Sequence, residues 1–328
     1  MIRNQWYVVL ESDEVRRGKL LGVTRLGEKL VFWRKQDGQV VCMGDLCPHL
    51  GASLCQGKLQ SDRLACPFHG FEFDSTGECK YLPAYGQNGM IPKALRTRIY
   101  PTYESQGMIW IFWGERKDVL EPPRFFEHSI PADCSYGRFR QHWNVHYSRV
   151  IENQLDVAHL PFVHYNTIGR GGRTVVDGPL VKQEGNLMHL WVFNRSDDGS
   201  PARKAEELVQ PTRAPFLEFR FPNSWHNWIS NDIHITIAFV PVDEENTLMY
   251  GRYYQRLVKL PLLRELSNLA GVISSRYIAN QDRRIVNNQL PKKSSLRKMG
   301  EKIMQSDRGI LAYRTHRQAL KEAARQEE

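Results

Sequence analysis

Cys47-Pro-His49 and Cys66-Pro-Phe-His69 stand on either side of a sixteen-residue spacer, and each cluster offers one thiol and one imidazole. Four such donors close around metal only if two loops are brought together, so this pair constrains its surroundings more than any other feature of the chain. A structural zinc site also takes two cysteines and two histidines, but zinc modules usually present Cys-x₂₋₄-Cys and then His-x₃₋₅-His. Here each cluster holds one of each, an order that sets both thiolates on one iron and both imidazoles on the other iron of a [2Fe–2S] centre. Neutral imidazoles lower the negative charge around such a cluster and raise its potential, so one-electron carriage is the expected role. Iron–sulfur charge-transfer bands in the visible spectrum separate this reading from zinc.

A chain of 328 residues, 41% hydrophobic and 25% charged, has the length for two cores and an ordinary globular composition. Its first ten residues run straight into Glu11, Asp13 and Glu14, with no apolar stretch of signal-peptide or membrane-span length. A cytoplasmic protein without membrane association is therefore expected. Of six cysteines, four lie outside the two clusters, and iron-ligating thiolates favour a reducing compartment over a disulfide framework. The formal charge is +9, and from Lys292 to Glu328 ten basic residues face five acidic ones, a net of +5. A nucleic-acid surface would interleave aromatics, and Tyr313 alone is present there, so no nucleic-acid partner is expected. The solvated face of a terminal helix accounts for this charge, with docking of an acidic redox partner as the alternative.

From Trp6 to about Gly114 the pattern is one of short strands and tight turns. Leu30-Val-Phe-Trp33 and Gln39-Val-Val-Cys42 flank Asp37-Gly38, a hairpin signal, Phe71-Glu-Phe73 precedes a turn at 74–77, and Met108 to Trp113 suits a buried strand. Both Cys/His clusters then fall on loops of a small all-β domain, assigned to residues 1–120. After Glu121-Pro-Pro the segment 121–328 reads as α+β, with strands at 188–193, 216–221, 234–240 and 248–254 and closing helices at 260–286 and 296–325. Helices packed on an antiparallel sheet are expected there.

The second chemical motif is Glu152-Asn-Gln-Leu-Asp156-Val-Ala-His159-Leu-Pro161-Phe-Val-His164. On a helix, residues 153, 156 and 159 share one side, and Pro161 forces a kink that lets His164 swing back towards His159. Two imidazoles and one carboxylate on one face of a metal form the triad of non-haem Fe(II) oxygenases, with open positions left over.

With these residues in view, the chain resembles the α subunit of a Rieske non-haem iron oxygenase over essentially its whole length. The family signature Asn-x₂-Asp-x₂-His-x₄-His is met by Asn153, Asp156, His159 and His164. The resemblance implies an N-terminal Rieske domain and a catalytic domain of helix-grip, START-like form. It implies that Cys47, His49, Cys66 and His69 hold a [2Fe–2S] cluster, and that His159, His164 and Asp282, in Asn280-Gln-Asp282, hold mononuclear Fe(II). Asp156 is then not a ligand but a hydrogen-bonding bridge between His159 and His69 of the partner subunit, in a homotrimer. Leu50 and Phe71 depart from the residues commonest at those places in the family, Arg and Trp, and bear on cluster potential and redox partner.

By the same resemblance the reaction is hydroxylation of a small organic substrate by O₂, with monooxygenation preferred. Oxidative O- or N-demethylation would release formaldehyde, aromatic cis-dihydroxylation is the alternative enzyme activity, and a non-enzymatic Rieske electron carrier is the alternative class. No nicotinamide or flavin fingerprint is present, so an NAD(P)H-dependent reductase, with or without a ferredoxin, is an implied partner. His142 and His146 suit packed strand or helix-start positions better than a metal pair, and Ile168-Gly-Arg170-Gly-Gly-Arg173 suits a flexible loop near the iron better than a phosphate cradle. Phe162, Trp225 and Trp228 are candidates for either pocket or core.

Overall fold

The apolar run Leu30 to Trp33 has no polar face to turn to water, and in the computed structural model it lies between two cores. Leu30 and Phe32 enter one cluster with Tyr7, Val9, Ile109 and Ile111. Val31 and Trp33 enter another with Leu54, Leu64, Phe73, Cys47 and Cys66. Alternation of side chains along a strand produces this division, and each fully buried large side chain contributes on the order of 2 kcal/mol.

The structure describes residues 1–115, 120–126, 128–296 and 300–326. Two units are present, one of Met1 and Arg3–Pro123 and one of Ile2 and Arg124–Glu328. The first contains β1 (Gln5–Glu11), β2 (Leu21–Arg25), β3 (Glu28–Arg34), β4 (Val40–Gly44), β5 (Lys58–Gln60), β6 (Arg63–Ala65), β7 (Glu72–Phe73), β8 (Cys79–Tyr81), β9 (Ile99–Tyr100), β10 (Thr102–Ser105) and β11 (Met108–Trp113). They form three sheets, ordered β1-β11-β10, β2-β3-β4-β9 and β5-β6-β7-β8. The hairpin at Asp37-Gly38 joins β3 to β4 with Arg34 opposite Val40.

The second unit contains β12 (Ser135–Trp143), α1 (Tyr147–Leu155), α2 (Leu160–Val163), β13 (Val175–Glu184), β14 (Leu187–Arg195), β15 (Leu217–Arg220), β16 (Ser224–Ser230), β17 (Ile233–Pro241), β18 (Thr247–Gln255), α3 (Pro261–Val286) and α4 (Arg308–Gln326). Its strands make one seven-stranded antiparallel sheet, ordered β12-β18-β17-β16-β15-β14-β13. This is the expected α+β arrangement. On α3 the buried residues are Asn268, Val272, Ser275, Ala279, Asp282 and Val286, spaced alternately four and three apart. That period draws one stripe down a helix, and it turns the end carrying Asp282 inward. Among the described residues, no helix is long and apolar enough to cross a membrane.

Two expectations change. The last helix begins at Arg308 rather than near 296, because Met304 is extended (φ −102°, ψ 172°) and a 3₁₀ turn at Gln305–Asp307 intervenes; residues 297–299 of the expected span lie outside the described residues. Asp156 and His159 do not continue the helix of Asn153. α1 stops at Leu155, and Asp156 is already extended, with ψ 127°. Its Oδ1 accepts from the backbone N–H of Ala158 at 2.7 Å, a local bond that competes with the helical ladder. Pro161 lies in the first turn of α2, where its missing N–H leaves no helical bond unmade.

α1 is tied to α4 by a buried ion cluster. Glu152 accepts from Arg149 Nη1 at 2.9 Å and from Arg314 Nε and Nη2 at 2.8 and 2.9 Å, while Glu301 pairs with both arginines. Removing one member of a buried pair strands the other charges, so Glu152→Ala is expected to cost about 3 kcal/mol or more in chemical denaturation. A loss under about 1 kcal/mol would mean that water reaches the cluster.

Candidate functional site

In the first unit the two Cys/His loops share one frame. Gly51 N–H donates to the carbonyl of Cys47 at 2.9 Å, and Gly70 N–H to that of Cys66 at 3.0 Å. Both glycines are left-handed, with φ of +74° and +70°, where a side chain would be strained. Each loop is thus a Cys-Pro-x-x-Gly turn, closed further by Cys47 N–H to Ala52 O and Cys66 N–H to Phe71 O, both 2.8 Å. The cysteines are buried, the histidines exposed, and the two imidazole rings lie 4.8 Å apart. Phe71 stacks on His49 with 17° between the planes, so its departure from the common family residue falls directly on that imidazole. Burial pushes the Cys47 thiol up to about 11, the Cys66 thiol beside it adds to the rise, and the N–H groups of His49 and Leu50 oppose it. A thiolate held in such a place needs a cation to persist at neutral pH.

In the second unit, the break after α1 sets His159 at the start of α2 and His164 just past its end, their rings 5.2 Å apart. α3 delivers Asp282, which is 3% exposed. Asp282 Oδ1 lies 3.1 Å from His164 Nε2 and 3.5 Å from His159 Nε2, and one donor atom from each residue falls within 4.8 Å of the others. Donors at right angles on a metal with bonds of about 2.1 Å lie roughly 3 Å apart, so the spacing fits a shared cation. The buried Asp282 Oδ1 makes no hydrogen bond among the described residues despite these neighbours, which means the donors aim at a common point rather than at one another. Burial would hold the His164 imidazole down, but the Asp282 carboxylate outweighs it and raises His164 above its ordinary value.

Neighbouring side chains hold this group in place. Gln281 Nε2 donates to Asn166 Oδ1 at 2.9 Å, which turns Gln281 Oε1 towards His164 Nδ1, also at 2.9 Å. Nδ1 therefore carries the proton, and Nε2 presents its lone pair on the side of Asp282. Gln154 Nε2 donates to the other Asp282 oxygen at 3.3 Å. Asp156 Oδ2 lies 3.7 Å from His159 Nδ1, and its side chain is 30% exposed. Although burial opposes ionisation, His159 and the N–H groups of Ala158 and His159 keep the Asp156 carboxyl below its usual range.

The triad opens on a cavity of about 700 Å³ whose apolar walls include Phe216, Trp225, Ile235 and Ile237. That volume lies in the range of small-molecule sites. Of the three aromatics named from the sequence, Trp225 lines the cavity, Trp228 packs edge-on against His234, and Phe162 is exposed. His142 is exposed on β12, and the buried His146 caps α1 by accepting from Ser148 N–H, so neither joins the triad. The sequence reading passed over Gln154 and Gln281. Adjacency of Gln281 to Asp282 was the available signal.

Comparison with known proteins agrees with both halves. Residues 5–103 match the Rieske [2Fe-2S] domain, and residues 143–323 match the vanillate O-demethylase oxygenase C-terminal domain. The chain is 28% identical to the 3-chlorobenzoate-3,4-dioxygenase oxygenase subunit of Comamonas testosteroni, over 76% of this chain and 58% of that protein. It is 28% identical to the dicamba O-demethylase oxygenase component of Stenotrophomonas maltophilia, over 75% of this chain and 69% of that protein. It is 34% identical to cholesterol 7-desaturase nvd of Xenopus laevis, over 72% and 52% respectively. The match therefore spans little more than half the length of the first and third of these relatives. Among solved structures, NdmA of Pseudomonas putida CBB5 shares the fold with a TM-score of 0.81 at 21% identity, over 99% of this chain and 92% of that one.

Gln281→Leu removes the acceptor that fixes the His164 tautomer. It is expected to weaken divalent-metal binding at the triad by 10–100-fold in a metal titration, the usual effect of losing such a support. Unchanged affinity would show that His164 is oriented by packing alone.

Proposed function

The chain belongs to the Rieske non-haem iron oxygenases, and we propose that it is the terminal oxygenase component of such a system, hydroxylating a small organic substrate with O₂ and externally supplied electrons. In this reading Cys47 and Cys66 ligate one iron of the [2Fe–2S] cluster, His49 and His69 the other, and His159, His164 and Asp282 ligate the mononuclear iron. The single observation that carries it is the convergence of those last three side chains at the wall of a substrate-sized cavity. When bound, the two metal groups supply electron storage and oxygen activation.

The chain's own residues account for the rest. The buried thiols and outward imidazoles set the cluster with its histidine side towards solvent, where a reductase or ferredoxin has access. Gln281 and Gln154 hold His164 and Asp282 in register, and the apolar walls shield the reacting carbon from water. Asp156 orients His159, and its exposed edge is free to take a second imidazole. A homotrimer in which that imidazole is His69 of the partner subunit is part of this proposal, supported by the family signature around Asp156.

Oxidative O- or N-demethylation is the proposed outcome. Relatives whose names include O-demethylase and the match to the vanillate O-demethylase oxygenase domain support it. Reconstitution with an NADH-dependent reductase and ferredoxin, using a panel of aryl methyl ethers and N-methyl heterocycles, is expected to release formaldehyde in step with O₂ uptake. Asp156→Asn should keep both metal centres yet slow turnover at least tenfold. Diol products without formaldehyde would replace demethylation by dihydroxylation, and absence of any substrate-dependent O₂ uptake across the panel would count against the oxygenase reading.

A further inference from the structure

The cavity beside the triad is apolar on most of its wall but carries five arginines, Arg170, Arg173, Arg195, Arg203 and Arg213, against three aspartates. Two of the five are neutralised within the wall. Asp177 is 1% exposed and takes Arg203 Nη2 at 2.8 Å and Arg195 Nε at 3.3 Å, and Asp198 takes Arg195 Nη1 at 2.7 Å. The other two aspartates face the histidines, Asp282 beside His159 and His164, and Asp156 beside His159. Among the described residues, the side chains of Arg170, Arg173 and Arg213 form no ion pair, those of Arg170 and Arg213 donate only to the carbonyls of Asn166 and Val192, and the Arg213 guanidinium lies 5.5 Å from the centre of the Phe193 ring. Three solvent-exposed arginines thus line a mostly apolar cavity with no carboxylate paired to them among the described residues.

Arg170 and Arg173 belong to the segment that follows His164, which turns back on the His164 backbone and lines the same cavity as the triad. Gly169 N–H donates to the carbonyl of His164 at 3.0 Å, and Arg170 Nε to that of Asn166 at 2.8 Å. The latter bond uses one face of the Arg170 fork and leaves its two terminal nitrogens to a ligand. A planar guanidinium with both terminal N–H groups free pairs in parallel with a carboxylate, a geometry that an amide or hydroxyl does not reproduce. Size adds a second constraint. A cavity of about 150 Å³ holds a single benzene ring, and this one is about 700 Å³.

We infer that the cavity selects an amphipathic organic anion, a carboxylate on an apolar body larger than one ring, with Arg170 and Arg173 receiving the charge while the apolar walls take the body. This deepens the oxygenase reading and rests on it for the meaning of the bound state. Binding itself needs no turnover, so the two fail separately, the oxygenase reading in iron content and O₂ uptake and this one in affinity.

The test is a calorimetric titration of the metal-loaded, oxidised protein with 1-naphthaleneacetate and with its near-isosteric neutral partner 1-naphthaleneacetamide. The acetate is expected to bind at least tenfold more tightly than the amide. In the double variant Arg170→Gln, Arg173→Gln the acetate should lose about tenfold while the amide stays within twofold, the amide reporting that the cavity is still intact. An amide that binds as tightly as the acetate, an acetate affinity indifferent to the double substitution, or no binding of the acetate at millimolar concentration would overturn the inference.

Discussion

A single backbone decision at Asp156 governs the catalytic unit. Its carboxylate takes the Ala158 N–H where α1 ends, and the chain leaves the path of α1 before His159 opens α2. On an unbroken helix, His159 and His164 would stand five residues apart and about 140° around the axis, too far round to share a cation. The break and the single turn of α2 bring their rings to 5.2 Å and point both Nε2 atoms at Asp282. Asp156 then remains beside His159, so the residue that makes the site possible is also placed to support one of its donors.

The scaffold answers that local geometry with rigidity. The buried stripe of α3 fixes the rotation of a 26-residue helix, and with it the position of Asp282 and the neighbouring Gln281. The seven-stranded sheet supplies cavity walls through alternate residues of β16 and β17, Trp225 and Asn227 on one strand, Ile235 and Ile237 on the next. By the same alternation His226 and His234 belong to the other face, where His226 pairs with Glu218 at 2.7 Å. In the first unit the same economy appears as two like loops, each closed by a left-handed glycine four residues after its cysteine.

Much of this was legible in the residues because the chemistry is local. The Cys/His clusters, the run from Asp156 to His164, and strands dense in aromatics or β-branched residues carry their own signals. β12, β13 and β16 were passed over: β12 alternates through arginine, glutamine and histidine, β13 is interrupted by Asp177-Gly-Pro179, which reads as a turn, and β16 sets its two tryptophans among serine, histidine and asparagine. The helix break was attributed to Pro161 because proline is the stronger sequence signal, whereas a side chain bonding its own backbone two residues on is invisible until the turn is formed. Asp282 looked like one charge among several, and only its phase with Val272, Ser275, Ala279 and Val286 sets it apart. Gln281 is marked in the sequence only by standing next to Asp282, while its contact with His164 and the lack, among the described residues, of carboxylate partners for Arg170, Arg173 and Arg213 are tertiary facts.

The account depends on the triad being a metal centre in its own right. Iron per chain, measured together with the visible cluster spectrum in the native protein and in Asp282→Ala, tests this most directly. Three irons falling to two, with the cluster bands unchanged, is the predicted result. Two irons in the native protein, or three retained after Asp282→Ala, would contradict it.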